Sequence, residues 1–400
     1  MTPSPLAALK TEADAVQERT VAFRRKLHRT PEIGLDLPVT RQAVLDEIAD
    51  LGLPTRLSET TSAVVAELDG GQPGPTVILR GDMDALPLQE DTGLPFASAV
   101  NGAMHACGHD THVAMLAGAA RLLAARREQI AGRILLFFQP GEESYHGARY
   151  ALEEGLLDDD GDVAGAFALH ITSQFETGTI NVRPGPILAA ADTFRVVLTG
   201  RGGHASAPHN ANDPVPAACE LVTTLQTVLG RRISTFDPAV LTVARIAAGT
   251  TSNIIPASAE LEGTIRTFSE ETRDEVHTRL RTVAAGVAAA HELSADVDIV
   301  PGYPVTVNDA AATDRMRAAA SAVVGAEQVI EMAEPLMGAE DFSYVLAKYP
   351  GAMAFLGACP PGVDPDDAAP NHSNLVVFDE DALAAGVAVY AAVALDALHR

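Results

Sequence analysis

Cysteine is scarce in this chain. Three in 400 residues, Cys107, Cys219 and Cys359, are too few and too scattered to make a disulfide framework. That usage suits a reducing compartment, and a cytoplasmic location is expected. Long apolar runs are missing as well: no stretch offers about 20 uninterrupted apolar residues. Residues 1–20 carry Lys10, Glu12, Asp14 and Glu18 and no continuous apolar core of a signal peptide. A soluble protein is expected. Basic charge is the third shortage, with 28 lysines and arginines against 53 acidic residues and a net charge of −25. Such a surface repels nucleic acid and anionic lipid, so neither is an expected partner. Internal repeats, heptads and low-complexity tracts are absent too.

What is there suits a large buried core. Hydrophobic residues make up 47% and charged residues 20% of the chain, and 400 residues are more than one ordinary layer needs, so two domains are expected. Helical spacing over residues 40–51 and 112–127 alternates with strand-like runs at residues 76–79 and 132–138. That alternation predicts an α/β layer with a mainly parallel sheet, whose ligand sites gather at the carboxyl ends of strands. Asp82 and Asp84, Glu142 and Glu143, and His170 each follow an apolar run and are expected just past a strand end.

The rhythm changes over residues 189–302. Strands at 192–198, 240–246, 259–268 and 293–300 and helices at 213–230 and 270–292 give the order β-α-β-β-α-β, a ferredoxin-like α+β unit inserted into the first domain. In residues 259–268 Ala259, Leu261, Gly263 and Ile265 face one way, and Glu260, Glu262, Thr264, Arg266 and Phe268 the other. Residues 1–188 and 303–400 form the two parts of the α/β domain, the second with a helix over 311–324, a strand over 352–356 and a closing helix over 379–399.

The chemistry concentrates in Met104-His-Ala-Cys-Gly-His-Asp-Thr-His112 and in Glu142-Glu143. Zinc-like ions take thiolate, imidazole and carboxylate, and a hydrolytic site adds a carboxylate free to move a proton. Cys107 and His109, two apart, suit a ligand pair on an extended segment. A lone cysteine is otherwise a small buried hydrophobe and a lone histidine a surface group. His105 and His112 are weaker candidates, and His112, opening a helix, reads as structural. Adjacent carboxylates repel; their side chains diverge, so one can bind metal while the other reaches the substrate's water, unless both only face a helix dipole. Asp82, Asp84 and Asp110 can bind metal or hold a ligating imidazole by its other nitrogen. In the insert, a glycine-rich turn carries His204, while Asn253 and Arg266 suit a substrate carboxylate, or Arg266 pairs with Glu260 or Glu262.

In chain order, His28-Arg-Thr-Pro-Glu-Ile-Gly34, Arg80-Gly-Asp-Met-Asp-Ala-Leu-Pro87, Met104-His-Ala-Cys-Gly-His-Asp110, Phe138-Gln-Pro-Gly-Glu-Glu143, Gly200-Arg-Gly-Gly-His204, Thr251-Ser-Asn-Ile-Ile-Pro256, Met337-Gly-Ala-Glu-Asp-Phe342 and Asn371-His-Ser373 resemble the zinc aminoacylase/carboxypeptidase superfamily. More narrowly they resemble its amidohydrolase branch, with hippurate hydrolases and indoleacetyl-amino acid hydrolases. The resemblance implies two divalent ions bridged by Cys107 and completed by His109, Glu143, His170 and His372, with Glu142 as general base. It implies that the insert is a lid and dimerisation domain, that His204 reaches a partner subunit's site in a homodimer, and that Asn253, Arg266 and Gly338 hold an N-acyl-amino acid or short peptide. The donor set favours zinc and admits manganese, cobalt or nickel.

The chain departs from the branch in having Ser144-Tyr-His-Gly147 after Glu143, Ile171-Thr-Ser-Gln-Phe-Glu176 after His170, and Leu37 near its start. Three rival readings remain. A Cys107 thiol nucleophile leaves Glu143, His170 and His372 unexplained. A binding protein that kept the fold would have lost ligands. An aminopeptidase or dipeptidase differs in requiring a free substrate amine.

Overall fold

Residues 77–79, 134–138, 166–169 and 352–356 are continuous apolar runs, and each becomes an inner strand of one sheet, because a strand covered on both faces needs unbroken rather than alternating hydrophobicity. The computed structural model describes Leu6, residues 8–159 and residues 161–398. The chain divides into two compact units, one of Met1–Ile187, Val307–Glu334 and Asp341–Arg400, the other of Leu188–Thr306 and Pro335–Glu340.

In chain order the elements up to the boundary are α1 (Ala8–His28), α2 (Pro38–Ile48), β1 (Thr55–Leu57), β2 (Val64–Asp69), β3 (Gln72–Asp82), α3 (His109–Ala124), β4 (Ala131–Gln139), α4 (Gly147–Glu153), β5 (Val163–Thr172), β6 (Ile180–Val182) and β7 (Gly185–Leu188). Next come β8 (Ala190–Thr199), β9 (Gly203–His204), α5 (Pro214–Arg232), β10 (Ala239–Ala248), β11 (Ile254–Ile255), β12 (Ser258–Thr267), α6 (Glu270–Ala290) and β13 (Ser294–Pro301). The chain closes with β14 (Thr306–Asn308), α7 (Ala310–Val324), β15 (Val329–Glu331), α8 (Ser343–Lys348), β16 (Gly351–Gly357) and α9 (Leu383–Leu398).

The first unit's sheet runs β1-β2-β4-β3-β5-β16-β6-β15. Its centre, β4-β3-β5-β16, is parallel, with Leu79 between Leu136 and Phe167, while β2 and β6 join antiparallel. Sequence periodicity did not reveal the short strands β1, β6 and β15, since three residues carry no period. Helices α1, α3, α7 and α9 pack on one another, and α3 and α9 also lie on β3 and β5. Every residue of α9 except Asp396 is buried, as an all-round apolar helix requires. The stretch Glu380–Leu398 is long and apolar enough to cross a membrane by length and composition, and 89% of it is buried inside the protein. The expected helix end at His399 lies outside the described residues.

Because the inner strands are parallel, β3, β4, β5 and β16 present their carboxyl ends along one edge. Two expected placements shift there. Asp82 is the last residue of β3 rather than beyond it, and His170 lies within β5, two residues before its end.

The second unit has an antiparallel sheet of order β10-β12-β8-β13 with α5 and α6 packed on one face. Asp213 and Ser269 cap the two helices, accepting from the N–H groups of Val215 and Thr272. Ala259, Leu261, Gly263 and Ile265 face the helices, as the alternation predicts. Residues 303–306 and Pro335–Glu340, assigned from the sequence to the α/β domain, stand with this unit, where the Ala189 N–H meets the carbonyls of Leu336 at 3.2 Å and Gly338 at 2.8 Å.

Candidate metal centre

The segment holding Cys107 and His109 is a turn, not the extended stretch expected from the sequence. Gly108 takes a left-handed conformation (φ 84°) and α3 begins at His109. A Cβ at Gly108 would stand 2.3 Å from Ile171 Cγ2, so only glycine fits. The two side chains therefore share a side because of this tight turn. His109 Nδ1 lies 2.8 Å from the Asp84 carbonyl oxygen, which can only accept, so Nδ1 carries a proton; burial opposes charge on the ring, but Asp82 and Cys107 hold its pKa well above the ordinary value, and a cation at Nε2 would take the place of the second proton.

His170 is set the same way. Its Nδ1–H donates to the Ile171 carbonyl at 2.7 Å, and Nε2 stands 3.4 Å from Cys107 Sγ. Burial, helped by the nearby His112, holds its pKa well below the ordinary range, so the ring is neutral. His372, also left-handed (φ 70°), brings Nε2 within 3.3 Å of Cys107 Sγ and 3.2 Å of Glu143 Oε1. Two donor triads result, Cys107–His109–His170 and Cys107–Glu143–His372, sharing the one sulfur. His109, Glu142 and Glu143 form a further triad between them.

Asp84 separates the two glutamates. Its carboxylate oxygens accept the N–H groups of Glu142 and Glu143, each at 2.9 Å, fixing the turn after β4. Glu142 Oε2 then lies 3.9 Å from His109 Nε2, while Glu143 points to His372.

Metal fit can be judged from the donors alone. His109 Nε2 and Glu143 Oε1 are buried, and among the described residues their nearest polar neighbours, Asp82 and His372 at 3.2 Å each, are ion-pair contacts that fall short of hydrogen-bond geometry, an arrangement that a cation meeting these atoms would relieve. Burial and the Glu143 carboxylate push the Cys107 thiol up, against His109, and the contacts with Cys107 and Glu143 push His372 up to about 10. Burial opposes charge on Glu143, yet the His372 contact and His109 hold its carboxyl below the usual range. A thiolate, three imidazoles and a carboxylate in overlapping triads suit two divalent ions.

The remaining candidates stand behind or apart. His112 donates from Nδ1 to Asp82 at 2.6 Å and accepts the Ile171 N–H at Nε2 at 2.7 Å, so both nitrogens are occupied and it is structural. Asp82 lies 2.8 Å from Arg80 Nη1 and 3.2 Å from His109 Nε2. Burial opposes its charge, but Arg80 and His109 hold its carboxyl well below the usual range. Asp110 touches no donor of the triads: its partners are Arg24 and His28. His105 is in none of the triads, and burial pushes it down to about 3, a neutral imidazole. The sequence reading missed Asn371 as a brace. Its amide donates to the carbonyls of Cys107 at 3.1 Å and Ile171 at 3.0 Å, joining the turn to β5. Tyr390, for which no local signal exists, donates to the Arg80 carbonyl and accepts the Leu169 N–H.

His204, Asn253, Arg266 and Gly338 belong to the second unit. His204 pairs with Ile254 across β9 and β11, and with Asn253 it lines a surface concavity of about 520 Å³. Its Nδ1 accepts from the Ser206 N–H at 3.1 Å, so a neutral ring carries its proton on Nε2. Arg266 lies half-buried on the helix-free face of the sheet. The expected alternative partners are taken, Glu260 by Arg195 and Arg245 and Glu262 by Arg245, and among the described residues Arg266 has no carboxylate partner. Gly338 contributes its carbonyl to Ala189.

Residues 78–396 match the peptidase family M20/M25/M40. The chain is 37% identical over 391 residues to a thermostable carboxypeptidase 2 of Saccharolobus solfataricus, covering 97% of each chain. It is 40% identical over 348 residues to an N-acetylcysteine deacetylase of Bacillus subtilis, covering 86% of this chain and 89% of that one. A solved Bacillus subtilis structure described as a dinuclear metal-binding peptidase of the M20 family superposes with a TM-score of 0.82 at 34% identity, over 96% of this chain and 99% of that one.

Proposed function

The chain belongs to the peptidase family M20/M25/M40, and from that premise we propose that it is a binuclear metal-dependent amidohydrolase that splits N-acyl-amino acids into a carboxylic acid and an amino acid. The observation that carries this reading is the pair of donor triads sharing Cys107, with Glu142 beside them. A carboxypeptidase and an N-acetylcysteine deacetylase both release an amino acid with a free carboxylate, and that shared leaving group supports the substrate class.

Two divalent ions held there would supply an acidified water and a Lewis acid for the amide carbonyl. Cys107, His109 and His170 would hold one, and Cys107, Glu143 and His372 the other. Glu142, whose Oε2 lies 3.9 Å from His109 Nε2, is the proposed general base: its oxygen takes the proton from the attacking water and returns it to the leaving amine. His204, with its Nε2–H outward, would donate to the developing oxyanion. Arg266, a half-buried guanidinium with no carboxylate in ion-pair contact among the described residues, and Asn253 suit the substrate carboxylate. Zinc is the proposed resident ion on the strength of the thiolate and imidazoles. A homodimer through the second unit and a cytoplasmic location complete the proposal.

The test is hydrolysis of acetyl, benzoyl, indoleacetyl and longer N-acyl-amino acids, before and after chelation and with zinc or manganese restored. Chelator-sensitive release of the amino acid is expected. Glu142→Gln should lower kcat roughly 10²- to 10⁴-fold with two metal equivalents still bound. Release that survives complete metal removal would revive the thiol mechanism, and activity only on substrates with a free amine would favour the dipeptidase.

A further inference from the structure

The His28 motif takes no part in the chemistry above, yet it sits in a buried chain of charges that ends one residue from a proposed ligand. Arg24 and His28, one turn apart on α1, both grip the same oxygen of Asp110: Arg24 Nε at 2.7 Å and His28 Nδ1 at 2.8 Å from Oδ2. The three side chains are 1%, 2% and 0% exposed. The far side of His28, Nε2, meets the Glu90 carboxylate at 3.2 Å, and Glu90 also takes the Ser98 N–H at 2.7 Å and the Thr92 hydroxyl. Arg24 reaches on to Glu380 at 3.1 Å. Phe96 closes the cluster, its ring edge-on to His28 and under the guanidiniums of Arg24 and Arg25.

We propose that His28 is a positioning residue for the metal centre: with Arg24 it holds Asp110, and through Asp110 it sets the backbone turn from which Cys107 and His109 project. The inference rests on the reading of Cys107 and His109 as metal ligands. Asp110 directly follows His109 in the first turn of α3, and the next residue, Thr111, returns its hydroxyl to the Gly108 carbonyl at 2.6 Å. The His109 ring is fixed at one end by the Asp84 carbonyl. Its backbone is fixed at the other by Asp110. A packed apolar trio would stabilise α1 against α3 as well as this ion cluster does, because desolvation consumes much of the attraction between buried charges. What the charges add is direction: the hydrogen bond from His28 Nδ1 and the Arg24 charge beside the same oxygen leave Asp110, and so the turn, a single place to be.

The two ring nitrogens of His28 allow the idea to be tested without removing the side chain. In His28→Asn the amide nitrogen stands where Nδ1 was and keeps the bond to Asp110; in His28→Gln it stands where Nε2 was and keeps only the bond to Glu90. Zinc affinity is measured by chelator competition, with the thiolate-to-cobalt absorption band of the cobalt(II)-loaded protein as a readout of ligand geometry. Thermal melting of the chelated proteins reports stability separately. His28→Gln should bind zinc roughly 10- to 100-fold more weakly, as loss of a ligand-orienting partner does elsewhere, with an altered cobalt band. His28→Asn should stay close to wild type, although both chelated variants melt lower. Equal affinities for His28→Gln and wild type, or equal losses in the two variants, would overturn the proposal. If His28→Gln does not fold, Asp110→Asn takes its place, and unchanged affinity there counts against it equally. A wild-type protein that binds neither ion would instead refute the ligand reading itself.

Discussion

A histidine buried between two carboxylates is a pH sensor whatever else it does, and His28 is such a residue. Burial opposes its charge, but Asp110 and Glu90 outweigh burial and Arg24 and push its pKa up to about 8, from an ordinary 6.5. His105 also faces the cluster and stays neutral. A raised folded-state pKa means that His28⁺ stabilises the fold fully below about pH 6.5 and that the contribution disappears as pH rises through about 8, in total about 2 kcal/mol. Urea unfolding of the chelated protein from about pH 6 to about pH 9 should show that decline. The same series on His28→Asn should lack it, and a wild-type curve no steeper than the variant's would mean that His28 is neutral throughout. The glutamates make a comparable point about legibility. Their divergence was readable from adjacency alone, whereas the agent that enforces it, the Asp84 carboxylate across the sheet edge, was not.

At the scale of the element, the amino end of α3 bears the most weight. Gly108 must be left-handed to turn the chain between Cys107 and His109, and Ile171 and Phe378 occupy the space a side chain would need. Gly108→Ala should therefore cost about 2–4 kcal/mol, from the conformational penalty and the forced repacking together. It should also weaken metal binding. A shift of the denaturation midpoint at unchanged slope would check the first, and chelator competition the second; an Ala variant with wild-type affinity would show that the turn tolerates another path. The inner strands were legible as short continuous apolar runs, and the strands and helices of the insert from their local pattern. The extended reading of residues 107–109 failed because i and i+2 share a side in a strand and also across a left-handed glycine turn, and spacing cannot tell them apart.

For the whole molecule, the proposed homodimer makes a prediction that neither unit makes alone. If His204 serves a partner's metal centre, His204→Ala and Glu142→Gln are each nearly inactive, but mixed dimers contain one complete site. Refolding the two variants together should then restore roughly a quarter of wild-type activity per chain, the statistical share of complete sites in randomly paired twofold dimers. Absence of recovery, with mixed dimers demonstrated, would place His204 in its own chain's site or outside the reaction.

Composition and pattern were enough to expect the α/β class, an inserted unit and a metal site around Cys107, His109 and the paired glutamates, because these follow from residue type and local pattern, whereas His170 and His372 were implied as donors only by the family resemblance. Three-dimensional packing assigned the work among near-equivalent residues. His112 and His170 look alike in the chain, yet one has both nitrogens in hydrogen bonds while the other turns a lone pair toward Cys107. Asp84 and Asp110 look alike too, yet one orders the glutamates and the other answers to α1. Residue type sets which donors a side chain has. Which partner each donor meets depends on contacts between residues tens to hundreds of positions apart, and only the folded chain creates those.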